Sequence, residues 1–169
     1  MVRGGRGDLL FGLRDIDAVM GDDEKLIGRM IAACRDLGPK LTALVGSPVP
    51  MVVGSDMKGI ATELEARTGL PGFGFDTTGT AYYDRGVSAA LIALLERFAE
   101  PSPSVPNTVG IVGATPLDFA DGADIRNLQD ALQERGIEVT ATLAMGYDLE
   151  ALRRAAAAHV NSVDRKSVV

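Results

Sequence analysis

Leu41-Thr42-Ala43-Leu44-Val45-Gly46-Ser47-Pro48 is the stretch on which the fold turns. Five residues, four of them apolar, end abruptly in Gly-Ser-Pro, the pattern of a short buried strand followed by a turn. Upstream, Leu26, Ile27, Met30, Ile31, Cys34 and Leu37 recur at helical spacing. They predict a helix over about 23–37, with acids at its start and Gly38-Pro39 at its end. Downstream, Asp56 can cap a helix running to Arg67, closed by Thr68-Gly69 ahead of Pro71. Phe73–Phe75 then reads as a second strand. Val49–Val53 stays open between a strand and a tight connection, because Pro48 and Pro50 disfavour a central strand.

The pattern continues outward. Val87, Leu91, Leu94, Leu95 and Phe98 give a helix over about 84–98. Pro101, Pro103 and Pro106 then interrupt regular structure, and 101–106 is the expected linker between two domains. Beyond it the expected elements are a strand at 108–112, a helix carrying Ile125, Leu128 and Leu132 with Asp121 and Asp124 at its start, and a strand at 138–143. An Ala-rich helix from Asp148 to His159 and a further strand at 160–163 complete the series. Strands alternating with helices of about 10–15 residues imply an α/β fold, with Rossmann-like parallel sheets flanked by helices. The expected domains are 1–100, the end of one α/β domain, and 107–163, the start of a second.

Composition removes several function classes. The 169 residues carry 17 Lys and Arg against 23 Asp and Glu, a formal net charge of −6, and no Trp. An acidic chain poor in aromatics lacks the footprint of a nucleic-acid binder. No apolar run approaches the roughly 20 residues that span a bilayer. A single cysteine, Cys34, supports neither an internal disulfide nor a cysteine-based zinc site, and fits a reducing, cytoplasmic setting. Cys34 falls on its helix's apolar stripe and reads as packing. His159 reads as a capping or partly buried side chain.

Chemistry in open parallel sheets gathers at the carboxyl ends of the strands. Three loops qualify: Gly46-Ser47-Pro48 continuing to Gly54-Ser55-Asp56, Asp76-Thr77-Thr78-Gly79, and Gly113-Ala114-Thr115-Pro116. All are rich in glycine and hydroxyls, which suits a ligand's close approach and is also ordinary turn composition. None is a Walker A or G-x-G-x-x-G phosphate loop. By composition the chain yields a fold class and no reaction.

Read in order, however, the loops resemble a known family. Asp17-Ala18-Val19-Met20-Gly21-Asp22-Asp23-Glu24-Lys25-Leu26 is similar to the "VFGG-x-x-x-L" helix opening of nitrogenase component 1 proteins. Residues 46–56 resemble that family's "C-P-x-x-x-I-G-D-D" segment, and 63–78 its helix, "TG-hydrophobic-P" corner, strand and hydroxyl loop. Asn107–Gly113 resembles the "VN-hydrophobic-IG" strand that opens the next domain. The resemblance covers about residues 8–163.

It implies an oxidoreductase subunit, inactive as an isolated segment, that pairs with a homologous subunit and receives electrons from an ATP-dependent iron–sulfur partner. It also implies an iron–sulfur or related metallocluster in the full-length parent, with Gly46, Ser47, Pro48, Gly54, Thr77, Thr78 and Gly79 on the cofactor side. Ser47 stands at the family's cluster-cysteine position, making it the one implied metal contact. Serine binds cluster iron only when the metal deprotonates it. Two further readings of the same fold are a non-catalytic metallocofactor scaffold and a small-ligand binding protein. Asp164–Val169 matches neither the family nor a strand. It reads as the translation of a sequencing adapter, so 164–169 is expected to be an artefactual tail on a truncated chain.

Overall fold

A computed structural model describes residues 2–3, 9–10, 23–48, 54–116, 119, 123–145 and 147–163. The expectations for 49–53, Asp121 and 164–169 lie outside the described residues. The chain divides into two compact units, Met1–Ala81 and Tyr82–Val169.

The first unit opens with a two-residue antiparallel pair, β1 (Val2–Arg3) and β2 (Leu9–Leu10). Its core is built from α1 (Asp23–Leu37), β3 (Thr42–Val45), α2 (Met57–Thr68) and β4 (Gly72–Phe75). β3 and β4 pair in parallel, Thr42 opposite Gly72 through Val45 opposite Phe75. Thr42 and Leu44 are buried while Ala43 and Val45 are exposed, the period-2 alternation of a strand covered on one face. The side of β4 that meets α2 carries only Gly72 and Gly74, while Phe73 is buried on the other. A Cβ at Gly72 would lie 2.5 Å from the Ala61 carbonyl oxygen, and one at Gly74 would press into the Met57 carbonyl. The missing side chains therefore let α2 lie directly on β4. Met57, Ile60, Ala61 and Leu64 of α2 close the core against Leu26, Ile27 and Leu44.

Local chemistry sets the bounds of α2. The Asp56 carboxylate accepts from the Gly59 N–H at 2.8 Å. Gly69, at φ 70°, ends the helix with its N–H on the Glu65 carbonyl.

The second unit holds α3 (Tyr83–Phe98), β5 (Val105–Val112), α4 (Ala123–Gln133), β6 (Glu138–Leu143), α5 (Leu149–Arg153), a 3₁₀ turn (Arg154–Ala157) and β7 (Ala158–Val163). The parallel sheet has the order β6-β5-β7. Leu91 of α3 and Leu152 of α5 pack with Ala141 and Leu143. Ile125 of α4 packs with Ile111 and Ala114. A register irregularity between Val109 and Gly110 places Val139 with the α4 cluster and Ala141 with the α3–α5 cluster.

The helix at 83–98 groups by its contacts with the second unit, since its apolar stripe meets β6 and α5, and the contact boundary falls between Ala81 and Tyr82. Two expected element bounds change. β5 begins at Val105 rather than Thr108. The strand accommodates Pro106 through a register shift, with Asn107 at φ 59°. There the Thr108 hydroxyl donates to the Val105 carbonyl at 2.7 Å and accepts from the His159 N–H at 3.0 Å. The last helix stops at Arg153, and His159 is an exposed β7 residue, neither a cap nor partly buried. The edge of β5 offers hydrogen bonds that outweigh the helix propensity of Ala155–Ala158.

Candidate functional site

The carboxyl ends of β3 and β4 bring two of the three candidate loops together. The Gly46 N–H donates to the Phe75 carbonyl at 2.8 Å, carrying the ladder one residue past β3. The Thr77 N–H donates to that same carbonyl at 2.9 Å, and the Thr77 hydroxyl donates to the Gly46 carbonyl at 2.6 Å. Gly79 adopts φ 75°, and a Cβ there would sit 3.1 Å from Cγ of Pro48. The left-handed backbone favours glycine here, and a Cβ would press tightly on the proline ring. Gly46, Pro48, Thr77 and Gly79 thus form one assembly, with Ser47 exposed between its held neighbours.

The remaining expected residues sit differently. Thr78 is exposed, its hydroxyl 2.6 Å from that of Thr80. Gly54, at φ 80°, has open space on its Cβ side and lies two residues ahead of the Asp56 cap. The third loop, Gly113–Pro116, belongs to the second unit. Gly113 takes φ 87° and donates to the Leu143 carbonyl at 3.1 Å, while Ala114 and Thr115 are buried.

Asp76, quoted in the sequence only as the first residue of the second loop, has a role of its own. Its Oδ1 accepts from the Met57 N–H at 3.2 Å and its Oδ2 lies 4.0 Å from Lys58 Nζ. Asp76 and Asp56 therefore both occupy the N-terminus of α2, and the positive end of that helix is satisfied from within the chain. The signal was topological. In a βαβ unit the first residue after the second strand lies beside the N-terminus of the crossover helix, so an acid there can serve it.

The donor set does not match an iron–sulfur cluster. Cluster iron takes thiolates, and this corner offers the hydroxyls of Ser47, Thr77, Thr78 and Thr80 with two carboxylates engaged on α2. Among the described residues no group of three or more His, Cys, Asp or Glu is arranged to hold a metal ion. Cys34 lines a shallow cavity of about 290 Å³ with Arg35, Arg67 and Leu70, at the end of α2 away from the loops. Burial pushes its thiol pKa up, so the unreactive thiol form is favoured.

Among the described residues no helix is long and apolar enough to cross a membrane. A search of curated proteins finds no match. Solved structures similar to this chain include "Nitrogenase Cp1 at pH 6.5" and "Nitrogenase Cp1 at pH 5". Both are 18% identical to it and both align over 92% of it. Their TM-scores are 0.71 and 0.72, a likeness of fold. The chain spans 30% and 32% of the lengths of those two chains. The sequence model for nitrogenase component 1 type oxidoreductases matches residues 11–167, and the chain belongs to that family.

Proposed function

We propose that this chain is a segment of a nitrogenase component 1-like reductase subunit that receives electrons from an ATP-dependent iron–sulfur partner and delivers them to a substrate outside this segment's chemistry. The observation that carries the reading is the family match over residues 11–167, within which the two loops bearing the resemblance are joined by the Thr77–Gly46 bond. In this reading Gly46, Pro48, Thr77 and Gly79 form a fixed wall on the cofactor side. Ser47 and Thr78 face outward from it, and Gly54 flanks it. The parent pairs with a homologous subunit, works in the cytoplasm and binds a metallocluster. Residues 1–100 and 107–163 belong to successive domains of the parent, with the helix at 83–98 packed on the second.

A second reading, a non-catalytic metallocofactor scaffold, is favoured by the thiolate-free loop. Anaerobic purification of the full-length protein with iron and acid-labile sulfide assays tests the shared premise. Several irons per chain, with a visible charge-transfer band, support both readings. Their absence sinks both and leaves the small-ligand binding protein. ATP-dependent turnover with a cognate reductase then separates reductase from scaffold.

A further inference from the structure

We infer that the Gly46-Ser47-Pro48 loop lies outside the ligand sphere of any cluster in the parent: it walls the site and ligates nothing. The inference rests on the proposed cluster-bearing subunit and assigns this chain's own part in it. Among the described residues, the threonine hydroxyls and the two carboxylates about the loop are engaged within the chain. The Thr77 hydroxyl donates to the Gly46 carbonyl, those of Thr78 and Thr80 bond each other, and Asp56 and Asp76 hold the N-terminus of α2. The loop's own side chains offer one polar group, the exposed hydroxyl of Ser47. To bind iron it must lose a proton at a cost that thiols do not face, next to a corner already carrying two carboxylates.

The chain's one thiol cannot supplement it. Cys34 lies by Thr68, at the C-terminus of α2, while the loop lies by its N-terminus. Those ends are separated by a helix of 12 residues, roughly 18 Å at 1.5 Å per residue. A cluster needs its ligands within a few ångströms of one another, so Ser47 and Cys34 cannot share one.

The test uses the anaerobically purified full-length protein, with and without Ser47→Ala. Iron and sulfide per chain, the charge-transfer absorption and the electron paramagnetic resonance spectrum are compared. The expected result is a mutant-to-wild-type iron ratio near one, the same spectrum and the same melting midpoint. Iron lost severalfold in Ser47→Ala at an unchanged melting midpoint overturns the inference. Rescue of that iron by Ser47→Thr would identify the hydroxyl as the ligand. Wild-type protein without iron agrees with the inference while removing the cluster-bearing function, so the two failures are distinguishable.

Discussion

Asp76 shows how much one carboxylate organises. It follows β4 directly, accepts from the backbone of Met57 and lies near Lys58, tying the end of a strand to the start of the helix beside it. Asp76→Ala leaves the Met57 N–H without its cap. The expected cost is about 1 kcal/mol, by the usual range for lost N-caps, measured by urea unfolding. Gly79→Ala imposes a left-handed backbone on a side chain and pushes against Pro48. It should cost about 1–2 kcal/mol. The loop distortion would be read from the amide chemical shifts of residues 46–48.

Glu24 supplies a pH-dependent contribution. Its hydrogen bond to Arg67 outweighs desolvation and, with the charge attraction between them, holds its pKa below the ordinary 4.5. The second arm of the pair spans 2.9 Å. Because the folded pKa is the lower one, the stabilisation is present above pH 4.5 and fades as pH falls through the folded value. Arg67 is pushed up by Glu24 and Glu63 and stays protonated throughout. Glu24→Gln should therefore lower the melting midpoint at neutral pH and match wild type in strong acid. A pH series of thermal melts checks this.

At the scale of elements, β5 meets the Pro-rich segment through a register shift that the Thr108 hydroxyl repairs. Thr108→Val removes both bonds from a buried position. Net loss is expected at about 1–3 kcal/mol, with faster amide exchange at His159 as the local signature. The parts legible in advance were those written in local chemistry. The helix at 23–37 with Leu26, Ile27, Met30 and Ile31 turned to the core, the Asp56 cap, the Gly69 stop and the helix start at Asp148 appear as read, while Leu37 at the end of the stripe is exposed. The parts that were not legible depend on pairing across the chain. Val105 and Pro106 look like linker until β7 provides an edge, and Ala155–Ala158 looks helical until Ala158 pairs with Val105. The site divided the same way. Glycine and hydroxyl content marked the loops at 46–48 and 77–79. The bond between them, and the role of Asp76, required knowing that β3 and β4 are neighbours.

At the scale of the whole molecule, two units with separate cores imply separable stability. Leu64 is fully buried in the first core and Leu143 nearly so in the second. Leu64→Ala should cost about 2–5 kcal/mol, raising hydrogen exchange across β3, α2 and β4 and sparing β5–β7. In the proposed function that architecture serves as a thiolate-free wall of a larger redox subunit. The most direct test of that account is ATP-dependent electron transfer into the full-length protein from a reduced iron–sulfur reductase, followed by the partner's cluster absorbance. The account predicts oxidation of the partner that requires both ATP and the full-length protein. Metal-replete protein that leaves the partner reduced in the presence of ATP would contradict it.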